Sequence, residues 1–197
     1  INMMYYEIVD ICGAIDSIQI SVTAMEIANI DSVVAVCADA PAFTFTVDAG
    51  STQGGTWTDV SGTNTYIDAA GLFNPTTAGP GTHVVKYQTP GGCFVRDSLS
   101  IVVKPRMDAT LSPAIGLTFC EGDLVTQTIT GVDGGGTFTG WVGAHTSAVA
   151  NVLTFDPAVS GSGDQYLLYS IDESAAVCGD TDSVQVFVGA LDVAVID

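Results

Sequence analysis

Apolar side chains recur at every second position in Ala42-Phe-Thr-Phe-Thr-Val47, in Thr82-His-Val-Val-Lys-Tyr87 and in Ser98-Leu-Ser-Ile-Val-Val103. A period of two predicts strands with one buried face and one wet face. Gly-rich steps such as Gln53-Gly-Gly55, Pro90-Gly-Gly92 and Gly134-Gly-Gly136 separate the runs and predict turns. No stretch carries a convincing 3.6-residue period beyond a short turn from Asp68 to Leu72. The fold class predicted is all-β.

The pattern repeats. Cys12-Gly-Ala-Ile-Asp16-Ser17-Ile-Gln-Ile-Ser-Val22 matches Cys93-Phe-Val-Arg-Asp97-Ser98-Leu-Ser-Ile-Val-Val103, and both match Cys178-Gly-Asp-Thr-Asp182-Ser183-Val-Gln-Val-Phe-Val188. Other landmarks recur in step: Cys37 with Cys120, Gly55-Thr-Trp57 with Gly136-Thr-Phe138, Phe73-Asn-Pro75 with Phe155-Asp-Pro157, and Tyr87 with Tyr169. The interval is about 82 residues, a length that suits a seven-stranded sandwich. Residues 1–24 read as the terminal hairpin of a preceding repeat, 25–105 as one full repeat of type A, 106–189 as a second of type B, and 190–197 as the first strand of the next. The alternation A-B comes from Val22-Thr-Ala-Met-Glu-Ile-Ala-Asn-Ile-Asp31, which resembles Val188-Gly-Ala-Leu-Asp-Val-Ala-Val-Ile-Asp197 better than the middle junction.

Each full repeat has one Cys on an early strand and one just before its final strand. Equivalent positions should be bonded equivalently, so the expectation is one disulfide per repeat, Cys37 with Cys93 and Cys120 with Cys178. Cys12 belongs to the cut repeat and its partner lies outside the chain. An odd count of five cysteines is what a cut through an array leaves. Disulfides imply an oxidising compartment, and the localisation expected is extracellular, at the cell surface.

Charge narrows the partners. Four Lys plus Arg stand against 22 Asp plus Glu, a net charge of −18. Nucleic acid and anionic membranes are recognised by clustered cations, so neither is an expected partner. No apolar run is long enough for a membrane span. Calcium is the small partner the acids could accept, with Asp180, Asp182, Glu121 and Asp123 as weak candidates beside the junction acids Glu26, Asp31, Asp108 and Asp192. Six to eight oxygens are needed and no EF-hand loop is present, so the solvated-surface reading competes with it and no cofactor is assigned. A catalytic reading needs a converging nucleophile, base and stabiliser, and none is visible; the two His, His83 and His145, are not repeat-equivalent. Of the aromatics, Trp57 and Phe138 share one repeat position, as core residues do, whereas Trp141 has no aromatic counterpart and is the candidate ligand contact.

At Gly54-Gly-Thr-Trp57, Phe73-Asn-Pro-Thr-Thr-Ala-Gly-Pro-Gly81 and Gly92-Cys93-Phe-Val-Arg-Asp-Ser-Leu-Ser-Ile101 the chain resembles the immunoglobulin-like and PKD-like repeats of giant cell-surface proteins of Bacteroidetes, gliding-motility adhesins among them. The resemblance covers essentially the whole chain, with departures at Phe138 for Trp57 and at a three-residue insertion before Cys178. It implies tandem immunoglobulin-like β-sandwiches and a non-catalytic structural or adhesive segment of a long secreted protein or filament. Its partners would be adjacent repeats, neighbouring copies or surface polysaccharide. Two other readings stay open: a carbohydrate-binding accessory module of a secreted polysaccharide-degrading enzyme, and a pilus-like subunit that polymerises by strand addition. The resemblance also implies O-glycosylation at Asp-Ser-aliphatic sites, with Ser17, Ser32, Ser98 and Ser183 as acceptors. Asp-Ser is equally a natural turn into a strand, because both side chains bond nearby backbone donors.

Overall fold

Alternation in the sequence becomes alternation in burial. In the computed structural model, which describes residues 2–7, 12, 15–113, 116–139 and 145–191, the strand Asp180–Gly189 buries Val184, Val186 and Val188 while Ser183, Gln185 and Phe187 face solvent. The strand Gly163–Ile171 buries Leu167, Tyr169 and Ile171 in the same rhythm.

In chain order the elements are β1 (Asn2–Glu7), β2 (Ile15–Ile20), β3 (Val36–Cys37), β4 (Phe43–Thr44), β5 (Thr56–Asp59), β6 (Leu72–Phe73), α1 (Pro75–Ala78), β7 (Gly81–Gln88), β8 (Arg96–Lys104), β9 (Leu111–Ser112), β10 (Leu117–Cys120), β11 (Gln127–Gly131), β12 (Thr137–Thr139), β13 (His145–Val149), β14 (Val152–Phe155), α2 (Pro157–Ser160), β15 (Gly163–Ile171) and β16 (Asp180–Gly189). Two units separate by contact: Ile1–Val34 with Ala42–Thr77 and His83–Ile101, and Ala35–Pro41 with Ala78–Thr82 and Val102–Asp197.

The second sequence repeat forms two four-stranded sheets, β10-β16-β15-β12 and β13-β14-β11-β9. β10 runs parallel to β16, and the other pairings are antiparallel. This is the immunoglobulin plan, in which the first, second, fifth and fourth strands make one sheet and the third, sixth and seventh the other. The added parallel strand lies beside the last one. Between them lies one core of Leu111, Ile129, Leu153, Phe155, Leu167, Tyr169 and the three valines of β16. The first sequence repeat follows the same plan, with the sheet β3-β8-β7-β5 and β3 parallel to β8. Its other sheet is reduced to β4-β6 and the single bridges Ile30↔Val47 and Ile67↔Phe73.

The shared Phe-Asn/Asp-Pro motif has a local cause. Phe73 and Phe155 are fully buried, Pro75 and Pro157 open the one-turn helices α1 and α2, and the residue between them caps. Asn74 Oδ1 accepts from Thr77 N at 3.2 Å and Asp156 Oδ1 from Ala158 N at 3.0 Å. The turn expected at Asp68–Leu72 is present, with Asp68 Oδ1 accepting from Ala70 N and Leu72 N, both at 2.9 Å.

β1 and β2 form a hairpin whose Met4, Tyr5, Tyr6, Ile15 and Ile18 side chains are exposed. Tyr6 stands opposite Asp16, the register in which Tyr169 stands opposite Asp182.

Candidate functional site

The recurring Tyr and Gly landmarks form a clamp on the loop that leads into the third strand. The Tyr87 hydroxyl donates to Thr52 O at 2.6 Å and accepts from Gly55 N at 2.8 Å. Tyr169 repeats this, donating to Asp133 O at 2.8 Å and accepting from Gly136 N at 3.0 Å. Both glycines are required by close approach: a Cβ on Gly55 would lie 2.2 Å from Gln88 O, and one on Gly136 would lie 2.5 Å from the Tyr169 ring. Trp57 and Phe138 pack on these tyrosines with ring centroids 4.9 and 4.5 Å apart. The repeat-equivalent aromatics are thus packing groups.

The cysteines depart from expectation. Cys37 is bonded to Cys178, with Cα atoms 5.9 Å apart, and not to Cys93; Cys120 is not bonded to Cys178, and the thiols of Cys93 and Cys120 are exposed. So the expected disulfide within each repeat is replaced by a single bond joining the early Cys of one repeat to the late Cys of the next. Strand direction is the reason. β3 is parallel to β8 with Cys37 opposite Lys104, the last residue of β8, whereas Cys93 lies before its first residue, Arg96. Nine residues of strand separate those ends by roughly 30 Å, far beyond disulfide reach. The same holds for Cys120, opposite Gly189 at the end of β16, and Cys178, before its start. Cys12 is exposed.

Cys178 is 1% exposed and is held by backbone pairing, its N–H donating to Pro105 O at 2.9 Å and its carbonyl accepting from Met107 N at 3.0 Å. Two of the chain's four cations gather at this place within the second unit. Lys104, buried, donates to Glu173 and to Ser174 O at 3.2 Å. Arg106 pairs with Asp180 at 2.7 Å and Asp39 at 3.4 Å. The Lys104 hydrogen bond holds the Glu173 carboxyl below its ordinary value, and the Ala109 amide followed by Arg106 does the same for Asp180. Among the described residues, Cys37, Glu173 and Cys178 bring ligand atoms within 4.8 Å of one another, but two of the three sulfur and oxygen donors are locked in the disulfide.

The other candidates are placed as follows. Asp182 Oδ2 accepts from Leu111 N at 2.8 Å, and its repeat equivalent Asp97 accepts from Ile30 N at 2.8 Å, so the Asp of Asp-Ser ties the first strand to the last. Asp16 and Asp97 also accept from the N–H of Ser17 and Ser98 at 2.8 Å. Ser17, Ser32, Ser98 and Ser183 are all exposed. Of the calcium candidates, Asp180 and Asp182 are engaged as above and Asp123 accepts from Cys120 N at 2.9 Å; they do not come together with Glu121 as a described cluster. Trp141 and Asp192 lie outside the described residues.

One site escaped sequence reading. Asp59, at the end of β5 and 2% exposed, accepts from Ser61 Oγ at 2.8 Å, Thr63 N at 3.1 Å, Thr63 Oγ1 at 3.1 Å and Thr65 N at 3.4 Å. Burial pushes its carboxyl up, and these bonds outweigh burial and hold it below the ordinary value. The run Asp-Val-Ser-Gly-Thr-Asn-Thr, rich in short polar side chains, was the available signal.

Strand order, repeated with the Tyr clamp in both halves, defines a tandem pair of immunoglobulin-type sandwich repeats. No family model and no curated protein matches the chain. Among solved structures it is similar to the insect immune protein hemolin, at 13% identity and a TM-score of 0.49 over 84% of this chain and 47% of that one. It is also similar to immunoglobulin domains 1–4 of Sidekick-1, at 12% identity and 0.44 over 93% and 57%, and to extracellular cadherin domains 3–6 of protocadherin γB2, at 9% and 0.35 over 91% and 56%. The chain therefore spans about half the length of these solved chains.

Proposed function

We propose that this chain is a non-catalytic structural and adhesive segment of an extracellular repeat array, built to carry load and to present exposed faces at a cell surface. The observation that carries this reading is the bond between Cys37 and Cys178, which short-circuits 141 residues of backbone. Force entering at one end passes through the sulfurs, so most of the chain between those positions cannot be drawn out. The groups that could have pointed to chemistry serve the fold instead: the Tyr hydroxyls hold loops, and the Asp of Asp-Ser holds the first strand. The sequence resemblance to cell-surface repeats and the oxidising environment that a disulfide requires support the location.

Pulling a single molecule by its two ends tests this. With the disulfide intact, the final contour should exclude the bridged segment, and a reductant should add roughly 480 Å for the 141 residues released. Equal contour lengths with and without reductant would overturn the load-bearing reading.

A further inference from the structure

The exposed Cys120 stands in the same backbone setting as the bonded Cys37. Cys37 is opposite Lys104, with Ala38 N donating to Lys104 O at 2.9 Å and Ala40 N to Cys37 O at 3.0 Å. Cys120 is opposite Gly189, with Glu121 N donating to Gly189 O at 2.7 Å and Asp123 N to Cys120 O at 3.0 Å. Each is the last residue of a parallel strand laid along the end of the final strand of its repeat.

Cys93 is the late cysteine of the first repeat, as Cys178 is of the second. The sulfur of Cys93 lies 3.9 Å from Thr23 Oγ1. Thr23 follows Val22 as Lys104 follows Val103, and Lys104 is the residue opposite which Cys37 sits to reach Cys178. Cys93 is thus beside the register position that an early cysteine occupies in the bond already formed.

We infer that Cys120 and Cys93 are complementary halves of a second disulfide of the same kind, formed between the early cysteine of one repeat pair and the late cysteine of another copy of that pair. This rests on reading the chain as part of an array, and it makes the array covalently continuous from repeat to repeat, independently of the peptide backbone. The chemistry is thiol–disulfide exchange with a small oxidised disulfide such as oxidised glutathione. The Cys120 thiolate attacks one sulfur of the oxidant and releases one glutathione thiolate. The Cys93 thiolate then attacks the Cys120 sulfur and releases the second. Two electrons pass to the oxidant, the two protein thiol protons end on the two glutathiones, and one S–S bond forms for the one broken. Exposure of both sulfurs permits each attack.

The test uses the whole chain carrying Cys12→Ser, concentrated in a glutathione redox buffer. A ladder of covalent oligomers should appear without reductant. Peptide mapping should find the Cys93-to-Cys120 link about tenfold over either symmetric link, the ratio that ~1.4 kcal/mol of recognition gives. A mixture of the C93S and C120S variants should stop at the dimer. Symmetric links as abundant as the mixed one, or both thiols left free or capped by glutathione, would overturn the inference. Either result leaves the pulling experiment on Cys37–Cys178 untouched, so the two readings fail separately.

Discussion

The two repeats share a strand plan and fill it differently. In the first, Phe43, Phe45, Trp57, Phe73 and Tyr87 form a chain of rings with centroids 4.9 to 5.6 Å apart between neighbours. In the second, the bulk comes from aliphatics on longer strands, with Ile129, Leu153 and Leu167 fully buried and Phe138 only partly so. The difference follows sheet length. β4 and β6 of the first repeat are two residues each, so few side chains face the core and each must be large; β11 and β14 have five and four. What the repeats keep in common is where side chains touch backbone: the Tyr hydroxyl on its loop, the Asp of the last strand on the first, the cap before the Pro. Landmarks that survive repetition mark backbone contacts more than core volume.

The largest expected effect separates the units most sharply. Reducing Cys37–Cys178, or replacing Cys178 with Ser, reopens a 141-residue loop and should cost up to about 5 kcal/mol in the chain-entropy account. The loss should fall on the second unit, where both sulfurs lie. Hydrogen exchange should show lost protection at Val184 and Val186 with Val85 and Tyr87 unchanged. Equal loss at both places would dissolve the distinction.

Next come the paired core substitutions. Trp57→Ala removes a ring at 4% exposure on which Phe45 and Tyr87 stack, and should cost about 3 to 5 kcal/mol. Phe138→Ala removes a partly buried ring that packs on Tyr169 and should cost about 2 kcal/mol. Chemical denaturation of the two variants checks the ratio, and equal costs would mean that ring content does not distinguish the repeats.

Much of this was legible in the sequence, and the failures have particular causes. Period-two runs such as Ser98-Leu-Ser-Ile-Val-Val103 and the step of about 82 residues carried the all-β class and the repeat. The cysteine partners did not follow, because alternation reports which side of a strand is buried and not whether its neighbour runs parallel. β3 is only two residues, Val36–Cys37, and its partner lies at the far end of β8. Repeat equivalence predicted like bonding at like positions, and the chain departs from it: Cys37 and Cys178 are joined, early Cys to the next late Cys, while their equivalents Cys120 and Cys93 are not. The one-turn helices were missed because four residues are too short for a 3.6-residue period, though the Asn74-Pro75 and Asp156-Pro157 pairs were caps in plain view.

Asp59 offers a pH-dependent contrast, since the second repeat has Gly140 in its place in the motif. Asp59→Asn should cost the first unit about 2 kcal/mol at neutral pH, the scale of hydrogen bonds to a charged acceptor. The carboxyl sits below its ordinary value in the folded state. Its contribution is therefore fully present above the unfolded value near 4 and is lost as pH falls through the lower folded value. Parent and variant denaturation curves should converge in that acid window, and a deficit that persisted below it would break the assignment.

The smallest expected effect is a test of sameness. Tyr87→Phe and Tyr169→Phe each delete one hydroxyl and leave the ring in place. Each orphans a loop carbonyl, Thr52 O or Asp133 O, and a loop amide, Gly55 or Gly136. Loss of a neutral hydrogen-bonding group with its partners left behind costs about 1 to 2 kcal/mol. The two hydroxyls have matching partners at distances differing by only 0.2 Å, from 2.6 to 2.8 Å as donors and from 2.8 to 3.0 Å as acceptors. The costs should therefore agree within about 0.5 kcal/mol despite the different cores behind them, as expected for independent sites whose local surroundings match. Urea denaturation of each variant, with fluorescence and hydrogen exchange assigning the transition to a unit, measures both. A large inequality would mean that the clamp draws its strength from the surrounding core, and the claim that repetition preserves backbone contacts independently of core volume would fall with it.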